Sequence, residues 1–374
     1  MEELVELQHR LASTMAARGD WPADSPWVRQ AVEDLPRHRF APDRVWSWDG
    51  SGYVPADRTT DPGRWAELVY PGPDEPTITQ VTDGLATSSL SCQSIVVDML
   101  DSLMVEPGHR VLELGTGAGW NAALLAARAG DGSVTSVEVD AQLAAMARGR
   151  LDSVDAGVTV EVGDGAHGQP EGAPYDRLIA TYAVDEVPWS WVEQTRPGGR
   201  IVTPWGRLGH VALTVAADGR SASGWIQGLA TFMPSRGTDQ GRSQHEVRGD
   251  GPPEAEGPFP RSLLPLRADS GLLFALRAML PGVRITTEAG EGVTAWLHDG
   301  RSSWATLVAA PDERAVAYQG GPRRLADEVD QAWQRWQSAG APGLYDFGMT
   351  RTPYEQYIWS GDKDTGPRWE TALR

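Results

Sequence analysis

The chain has 374 residues, of which 40% are hydrophobic, so it can bury a sizeable core in two domains or in one domain with a large addition. Its formal net charge of −18, from 51 acidic and 33 basic residues, argues against binding to nucleic acid or an anionic membrane, because both need basic surfaces. The single cysteine, Cys92, excludes a disulfide within the chain and a cysteine-based zinc site.

The first segment, MEELVELQHRLAS, has neither the basic start nor the apolar stretch of a signal peptide. No run reaches about 18 apolar residues, so no membrane span is expected. These two features predict a soluble cytoplasmic protein.

The N-terminal region, residues 1–80, is expected to be a helical and irregular cap. Apolar residues at three- and four-residue spacing predict a helix over 1–19: Leu4, Leu7, Leu11 and Met15. Ser25-Pro26 is a typical start for a second helix. Residues 41–86 are rich in Pro, Gly, Asp and Trp, which predicts irregular structure.

From residue 92 the pattern changes to short apolar runs that alternate with helical segments. After a helix over 92–104, five runs predict strands at 110–115, 133–139, 158–164, 176–181 and 200–205. This alternation predicts βαβ units in a mostly parallel sheet covered on both faces. Two later runs have no helix between them and predict an antiparallel pair, 210–217 with 226–233.

The last part of the chain is expected to form a separate unit. Residues 237–260 are polar and rich in Gly and Pro, which predicts a linker. Residues 261–374 contain helical and strand-like segments, among them an amphipathic helix over 322–340, and predict an α+β accessory domain. The central domain is then 81–236.

The strongest local signal is VLELGTGAGWN, residues 111–121, which combines a buried strand, a glycine-rich loop and a helix start. Gly115 and Gly117 allow a tight turn and close approach of a ligand to the main chain, and the helix start offers free N–H groups. A dinucleotide site is the obvious alternative. The spacing is G-x-G-x-G rather than G-x-G-x-x-G, and the acid Glu113 precedes the loop, where dinucleotide sites are usually apolar.

Two acids end the next two predicted strands. Glu138 can accept hydrogen bonds from ribose hydroxyls, and Asp164 with Gly165 can meet an adenine amino group. With the glycine-rich loop and the later segments APYDRLIATYAVDEVP and PGGR, these parts match the order found in S-adenosylmethionine-dependent methyltransferases. The expected fold is therefore α/β: a class I, Rossmann-like methyltransferase with a mostly parallel seven-stranded sheet.

Longer segments resemble the protein-L-isoaspartate O-methyltransferase family: GHRVLELGTGAGWNAALLA, EVGDGAHGQPEGAPYDRLIAT, RPGGRIVTPWG and, upstream, LPRHRFAP. The resemblance covers about residues 25–236. It implies methyl transfer from S-adenosyl-L-methionine to a side-chain or isoaspartyl carboxylate, with S-adenosyl-L-homocysteine as product. The methyl ester then collapses to a succinimide as a backbone nitrogen attacks.

The motifs and the resemblance together give a set of predicted donor-binding residues: Glu113, Gly115, Thr116, Gly117, Asn121, Glu138, Val139, Asp164, Gly165 and Thr181. On the acceptor side, the resemblance maps a Thr-x-Ser signature onto Thr87, Ser88 and Ser89 and places Ser89 between the methyl donor and the acceptor carboxylate. A carboxylate is already ionised at pH 7 and needs positioning rather than a general base. The alternative is that 87–89 is a turn that caps the helix over 92–104.

The acceptor side also departs from the family. Ser91 and Cys92 stand where the repair enzymes usually have proline and histidine, and Tyr182 lies in a run that replaces small residues. Phe232 and Met233 match the family's substrate-side strand end, so Tyr182, Phe232 and Met233 are predicted to bind the substrate.

Residues 260–374 resemble the extension of two-domain relatives that modify ribosomally made peptides such as lanthipeptides and graspetides. That resemblance implies an aspartyl carboxylate in a constrained, modified precursor peptide as acceptor, and an aspartimide or isoaspartate as product. A general repair methyltransferase for isoaspartyl damage is the alternative. A nonenzymatic peptide-binding protein that kept a donor pocket is an alternative of another class. No nucleic-acid or membrane partner is expected, and the oligomeric state stays open.

Other features carry less chemistry. Cys92 is interpreted as a core residue at a helix start, and the seven histidines show no ligand spacing, so no metal is expected. Asp362 and Asp364 are interpreted as part of a solvated turn. The tryptophans of the last unit are expected to be mostly core, with one or two available for a peptide groove.

Overall fold

The computed structural model describes residues 2–206, 208–239, 241–289, 292–309 and 314–371. Contacts divide the chain into two units. The first is Met1–Ala222 with Ala230–Met233, and the second is Ser223–Leu229 with Pro234–Arg374. None of the described helices is long and apolar enough to cross a membrane.

The N-terminal part of the first unit is more regular than predicted. It contains three helices and four strands: α1 (Glu2–Arg18), α2 (Pro26–Asp34), β1 (Arg44–Trp48), β2 (Tyr53–Asp57), α3 (Pro62–Val69), β3 (Thr77–Thr82) and β4 (Leu85–Leu90). The two predicted helices are confirmed, and their apolar faces are buried. The prediction of irregular structure over 41–86 is wrong, because these strands form an antiparallel sheet in the order β2-β1-β3-β4.

The β3–β4 hairpin was not predicted from the sequence, because its strands are mostly polar. Its strands TITQVT and LATSSL are half-buried and carry few apolar residues. The turn is Asp83-Gly84, with φ of +52° and +77°. Such φ values fit the tight turns that join twisted antiparallel strands.

The central sheet of the first unit follows the predicted βαβ pattern. Its strands are β5 (Val111–Leu114), β6 (Val134–Glu138), β7 (Thr159–Val162), β8 (Tyr175–Ala180), β9 (Thr195–Trp205) and β10 (Gly209–Val215). They lie in the order β10-β9-β8-β5-β6-β7, in which only β10 is antiparallel to its neighbour β9. The carboxyl ends of the parallel strands therefore meet at one edge, where ligands of such sheets bind.

Four helices accompany this sheet: α4 (Gln93–Leu103), α5 (Trp120–Ala129), α6 (Ala141–Asp152) and α7 (Trp189–Gln194). The predicted helix over 92–104 is thus confirmed, with Cys92 at its N-cap. The Asp140 side chain caps α6 by accepting hydrogen bonds from the backbone N–H groups of Gln142 and Leu143.

The described residues of the second unit include four α-helices and the strands of two sheet regions. Its elements are β11 (Ala222–Leu229), α8 (Gln244–Arg248), β12 (Ala255–Pro258), α9 (Pro265–Ala268), α10 (Ser270–Met279), β13 (Arg284–Ala289), β14 (Val293–His298), β15 (Trp304–Ala309), β16 (Val316–Gly320), α11 (Leu325–Ser338), β17 (Phe347–Arg351), β18 (Gln356–Ser360) and β19 (Arg368–Glu370). One sheet has the order β12-β16-β15-β14-β13, and β19-β18-β17-β11 lie side by side in the other. This mixture confirms the predicted α+β character.

The predicted linker over 237–260 is wrong for much of its length. Ser243 and Glu246 form a capping box that starts α8, and β12 pairs with β16 as an edge strand. Residue 240 lies outside the described residues. The second unit also takes in 223–229, which the prediction assigned to the central domain.

The tryptophans of the second unit mostly fill its core, as predicted. Four of them are buried: Trp304, Trp333, Trp336 and Trp359. Trp333 and Trp336 lie on the buried face of α11 together with Leu325 and Val329, which confirms the predicted amphipathic helix.

Candidate active site

The glycine-rich loop follows β5 at the carboxyl edge of the central sheet. Gly115, Gly117 and Gly119 have φ of +95°, +53° and +91°, a region that L side chains rarely adopt. A methyl group at Gly115 would also overlap the Thr181 hydroxyl. That hydroxyl donates to the Gly115 carbonyl at 2.6 Å, so Thr181 fixes the loop backbone from the end of β8.

Beneath the loop, Glu113 is completely buried. Its carboxylate accepts hydrogen bonds from the Asn121 amide at 2.8 Å and from the Ser136 hydroxyl. The Ser136 oxygen lies 2.6 Å from the Thr116 Oγ1 in the loop itself. Burial raises the pKa of Glu113 to about 7, against the weaker opposite effect of the hydrogen bonds from Ser136 and Asn121.

This network bears on three predicted donor-binding side chains. The Glu113 carboxylate has no exposed surface in this conformation, so its contact with the donor stays a prediction. The Asn121 and Thr116 side chains likewise point to partners inside the protein. Glu113 therefore holds the shape of the loop from below.

Glu138 ties the end of β6 to the same loop. Its Oε2 accepts the Gly117 N–H at 2.8 Å, and its Oε1 accepts the Asp140 N–H at 3.1 Å. The next residue, Val139, is 48% exposed although it is apolar. A carboxylate beside an exposed apolar side chain is suited to a ligand with both hydroxyl groups and a flat apolar face.

Asp164 and Gly165 follow β7, and Asp164 caps the 3-10 turn Gly165–His167. The Asp164 side chain accepts the Ala166 N–H at 2.9 Å, and the Gly165 carbonyl accepts the Trp191 indole N–H at 2.8 Å. A methyl group at Gly165 would overlap the Tyr182 hydroxyl. Gly165 therefore leaves room for the Tyr182 ring.

Tyr182, predicted to bind the substrate, lies beside two predicted donor-binding glycines. Its ring lies against Gly115 as well as Gly165, between the ends of two sheet strands. Burial, and next the nearby Asp164 and Glu138 carboxylates, raise the pKa of its phenol. Its contacts are therefore with the predicted donor residues.

The predicted acceptor residues Thr87, Ser88 and Ser89 lie on β4, so the alternative that they form a helix-capping turn is wrong. The Ser88 hydroxyl accepts a hydrogen bond from the Thr79 hydroxyl at 3.1 Å. A Cβ placed on Gly117 would lie 3.6 Å from the Ser88 Oγ and 3.9 Å from the Ser89 carbonyl oxygen. The strand predicted to hold the acceptor and the loop predicted to hold the donor are thus neighbours, separated by about the room of one methyl group.

Sequence reasoning missed two polar residues of β3, Thr79 and Gln80. The Gln80 amide donates to Asp140 at 3.2 Å and accepts from the Thr87 hydroxyl at 2.8 Å, so it bridges β4 and the donor edge. Because β3 has a bulge between Ile78 and Val81, Thr79 and Gln80 do not follow simple alternation. The Asp-Gly turn was the available signal, since it marks a hairpin that pairs β3 with the Thr-x-Ser segment.

The predicted substrate residues Phe232 and Met233 lie in the segment after β11 and are not part of a strand. The Met233 carbonyl accepts the N–H of Ala183 at 2.8 Å. Ala183 follows Tyr182 in the sequence, so this segment lies close to Tyr182. Phe232 is half-buried against the core of the first unit.

A parallel sheet with a tight glycine-rich loop after its first strand, and acids at the ends of the next two, defines a class I S-adenosylmethionine-dependent methyltransferase. The family model described as protein-L-isoaspartate(D-aspartate) O-methyltransferase matches residues 74–227. The protein-L-isoaspartate O-methyltransferase of Anaeromyxobacter dehalogenans is 46% identical over 150 residues, 40% of this chain and 70% of that one. The chain belongs to the protein-L-isoaspartate O-methyltransferase family.

Two further comparisons define the extent of the similarity. The protein-L-isoaspartate O-methyltransferase of Methanopyrus kandleri is 43% identical over 121 residues, which are 32% of this chain and 54% of that protein. A solved structure of a protein-L-isoaspartate O-methyltransferase is similar over 95% of this chain and 100% of its own, with 21% identity and a TM-score of 0.49. The predicted family, the class I fold and carboxyl O-methyl transfer are confirmed. No comparison supports the predicted tailoring of a ribosomal peptide, and the names of the relatives favour the alternative, methylation of isoaspartyl residues.

Proposed function

We propose that this chain methylates the α-carboxylate of L-isoaspartyl residues in peptides or proteins, with S-adenosyl-L-methionine as methyl donor. The observation that carries this proposal is that Ser88 and Ser89 on β4 lie beside Gly117 of the donor loop, within 4 Å of where a Cβ on that glycine would be. The names of the similar proteins support isoaspartate as the acceptor.

The donor edge has the groups that this donor requires. Gly115 and Gly117 have no side chains that would keep a ligand from the main chain. The Glu138 carboxylate can accept hydrogen bonds from ribose hydroxyls. The exposed Val139 side chain offers an apolar surface to a base. S-adenosyl-L-methionine supplies an electrophilic methyl group on a positively charged sulfur. The protein's part is to hold that donor in place and keep the acceptor in line with it.

The acceptor step needs positioning rather than proton transfer. A carboxylate oxygen forms a bond to the methyl carbon as the carbon–sulfur bond breaks, so a negative and a positive charge are both lost and no proton moves. The Ser89 hydroxyl makes no hydrogen bond to the described residues and is half-buried, so it can donate to the acceptor carboxylate. Well-oriented reactions of this kind gain on the order of 7–11 kcal/mol from positioning in the best cases.

Replacing Ser89 with Ala tests this assignment. We expect kcat for an isoaspartyl peptide to fall about 10- to 100-fold, the effect of losing one charged hydrogen bond, while the dissociation constant of S-adenosyl-L-homocysteine stays within threefold. Turnover is measured by mass spectrometry and donor-product binding by calorimetry. Ser51→Ala, at an exposed turn, is the matched control. Weakened donor-product binding with unchanged kcat would contradict the acceptor role.

A second candidate is modification of an aspartyl carboxylate in a constrained ribosomal peptide. It is favoured by the second unit, most of which lies outside residues 74–227. The two candidates are separated by offering the enzyme a linear isoaspartyl peptide and a macrocyclic Asp-containing peptide. Gain of one methyl group followed by loss of methanol on the linear peptide supports the proposed function. The same mass changes on the macrocycle alone would replace it with the second candidate.

A further inference from the structure

Arg37 is a buried arginine without a carboxylate partner among the described residues. It lies in a single 3-10 turn, Arg37–Arg39, and is 1% exposed. Its Nε and Nη1 atoms are buried and make no hydrogen bond to any part of the chain that the structure describes. Burial lowers the pKa of this guanidinium to about 10.

The remaining nitrogen of Arg37 holds the base of the acceptor hairpin. Nη2 donates to the Thr77 hydroxyl at 3.1 Å and to the Leu90 carbonyl at 3.4 Å. Thr77 and Leu90 are directly paired residues at the base of the β3–β4 hairpin. Leu90 immediately follows Ser89, so this contact lies one residue from the proposed acceptor group.

The flat face of the same guanidinium lies on the donor side. Its Cζ is 5.2 Å from the ring centre of Trp120, the first residue of α5. The Trp120 indole N–H donates to the Leu35 carbonyl at 2.8 Å, two residues before Arg37. Trp120 follows Gly119, so the stack supports the helix that ends the donor loop.

The energetic cost of this arrangement argues for a positional role. A buried cation without a counter-ion loses its hydration, and a hydrocarbon side chain could fill the same space without that cost. Only arginine combines a planar face that stacks on an aromatic ring with donors fixed in the plane. The residue therefore joins two elements at a set separation.

We propose that Arg37 is a positioning residue for methyl transfer: it fixes the β3–β4 hairpin, and with it Ser89, at a set distance from the donor loop. This inference rests on the proposed function. Arg37 touches neither reactant, and its effect passes through Leu90 on one side and Trp120 on the other. A misplacement of about 1 Å between reacting groups can cost on the order of 100-fold in rate.

The test compares Arg37→Met and Arg37→Lys with the wild-type protein. For Arg37→Met we expect kcat on the isoaspartyl peptide to fall about 10- to 100-fold, with the dissociation constant of S-adenosyl-L-homocysteine within threefold of wild type. Arg37→Lys keeps the charge but not the planar donors, and we expect it to recover less than a tenth of the lost kcat. Arg39→Met, from the same turn, loses only a bond to the Ser153 carbonyl and serves as control.

Thr77→Val provides an independent variant if Arg37→Met does not fold. It keeps the side-chain shape and the buried arginine but removes the hydroxyl, which accepts from Nη2 at 3.1 Å and donates to the Leu68 carbonyl at 2.8 Å. Because Nη2 keeps its second acceptor, the Leu90 carbonyl, we expect a smaller loss of kcat than for Arg37→Met, about threefold to tenfold, again without weaker donor-product binding. Either variant with wild-type kcat, or with a loss explained entirely by donor affinity, would overturn the inference.

A wrong substrate assignment can be distinguished from a wrong role for Arg37, because it changes the activity of the wild-type protein. If the wild-type protein methylates only the macrocyclic peptide, the substrate assignment is wrong, and the same ratio of Arg37→Met to wild-type kcat is measured on that peptide. A wild-type protein that methylates neither peptide overturns the function and the inference together.

Discussion

Folding raises the pKa of the Glu113 carboxyl group, because the folded protein buries it. In the unfolded chain it titrates near the ordinary value of 4.5, whereas in the folded protein its pKa is about 7. The folded state therefore binds the proton more tightly. The resulting stabilisation is complete below about pH 4.5 and is lost as the pH rises through 7, with a total of about 3 kcal/mol as an upper bound.

Glu113→Gln removes this titration while keeping an acceptor and the side-chain volume. Relative to the variant, we expect wild type to lose free energy of unfolding between pH 5 and 7 and to change little above pH 8. Urea unfolding of both proteins at four pH values measures the difference. Glu161→Gln, at an exposed site on β7, should give a profile parallel to wild type. Parallel profiles for Glu113→Gln would contradict the raised pKa.

The contacts of Glu138 predict that this residue contributes to donor binding. Its carboxylate holds the Gly117 N–H and is proposed to accept from the ribose hydroxyls, so Glu138→Ala should weaken S-adenosyl-L-homocysteine binding by about 1–3 kcal/mol. Calorimetry measures the dissociation constant, with Glu161→Ala as the exposed control. An unchanged constant would refute the ribose role. No binding even to wild type would favour the nonenzymatic alternative.

Some of the site was predictable residue by residue, and some was not. Glu138 and the glycines could be found because strand, loop and acid follow one another in contiguous sequence. The interior role of Glu113 depends on Ser136, which faces it from the neighbouring strand through the pairing of β5 with β6. No local pattern contains that pairing.

At the scale of elements, the donor loop is restricted by space as well as by φ. Gly115→Ala would place a methyl group against Thr181 and 3.0 Å from the Tyr182 ring, and we expect S-adenosyl-L-homocysteine binding to weaken at least 100-fold. Gly108→Ala is the matched control, because Gly108 also has positive φ, +83°, but nothing within 4 Å. The control should lose about 1 kcal/mol of stability and keep its affinity. Equal affinities for the two variants would contradict this explanation.

Elements with a strong local period were predicted well. Apolar residues recur every three or four positions in the helices α1, α4 and α11, which indicates a helix. The parallel strands are short apolar runs between such helices, which indicates buried strands. The β3–β4 hairpin and β12 were missed, because their residues are polar, Gly or Pro and gain order from pairing. Pro258 in β12 is tolerated because that strand lies at a sheet edge.

At the scale of the whole molecule, the charge of −18 predicts a preference among substrates. An isoaspartyl peptide flanked by lysines should have a lower KM than one flanked by glutamates, because the protein's field attracts the first and repels the second. The difference should shrink as salt rises, since the screening length falls from about 30 Å at 0.01 M to about 8 Å at 0.15 M. Equal KM values at low salt would contradict the prediction.

The interleaving of the two units has a consequence for biosynthesis. Strand β11 belongs to the second unit, yet its neighbour β17 comes from residues 347–351, near the far end of the chain. A ribosome therefore releases β11 well before the strand that covers it, and a growing chain must carry an unsatisfied strand edge while the intervening residues are made. Exposed edges of this kind promote aggregation. We therefore expect slow translation or premature termination upstream of residue 347 to leave this edge uncovered, at a stage when a chaperone can protect the chain.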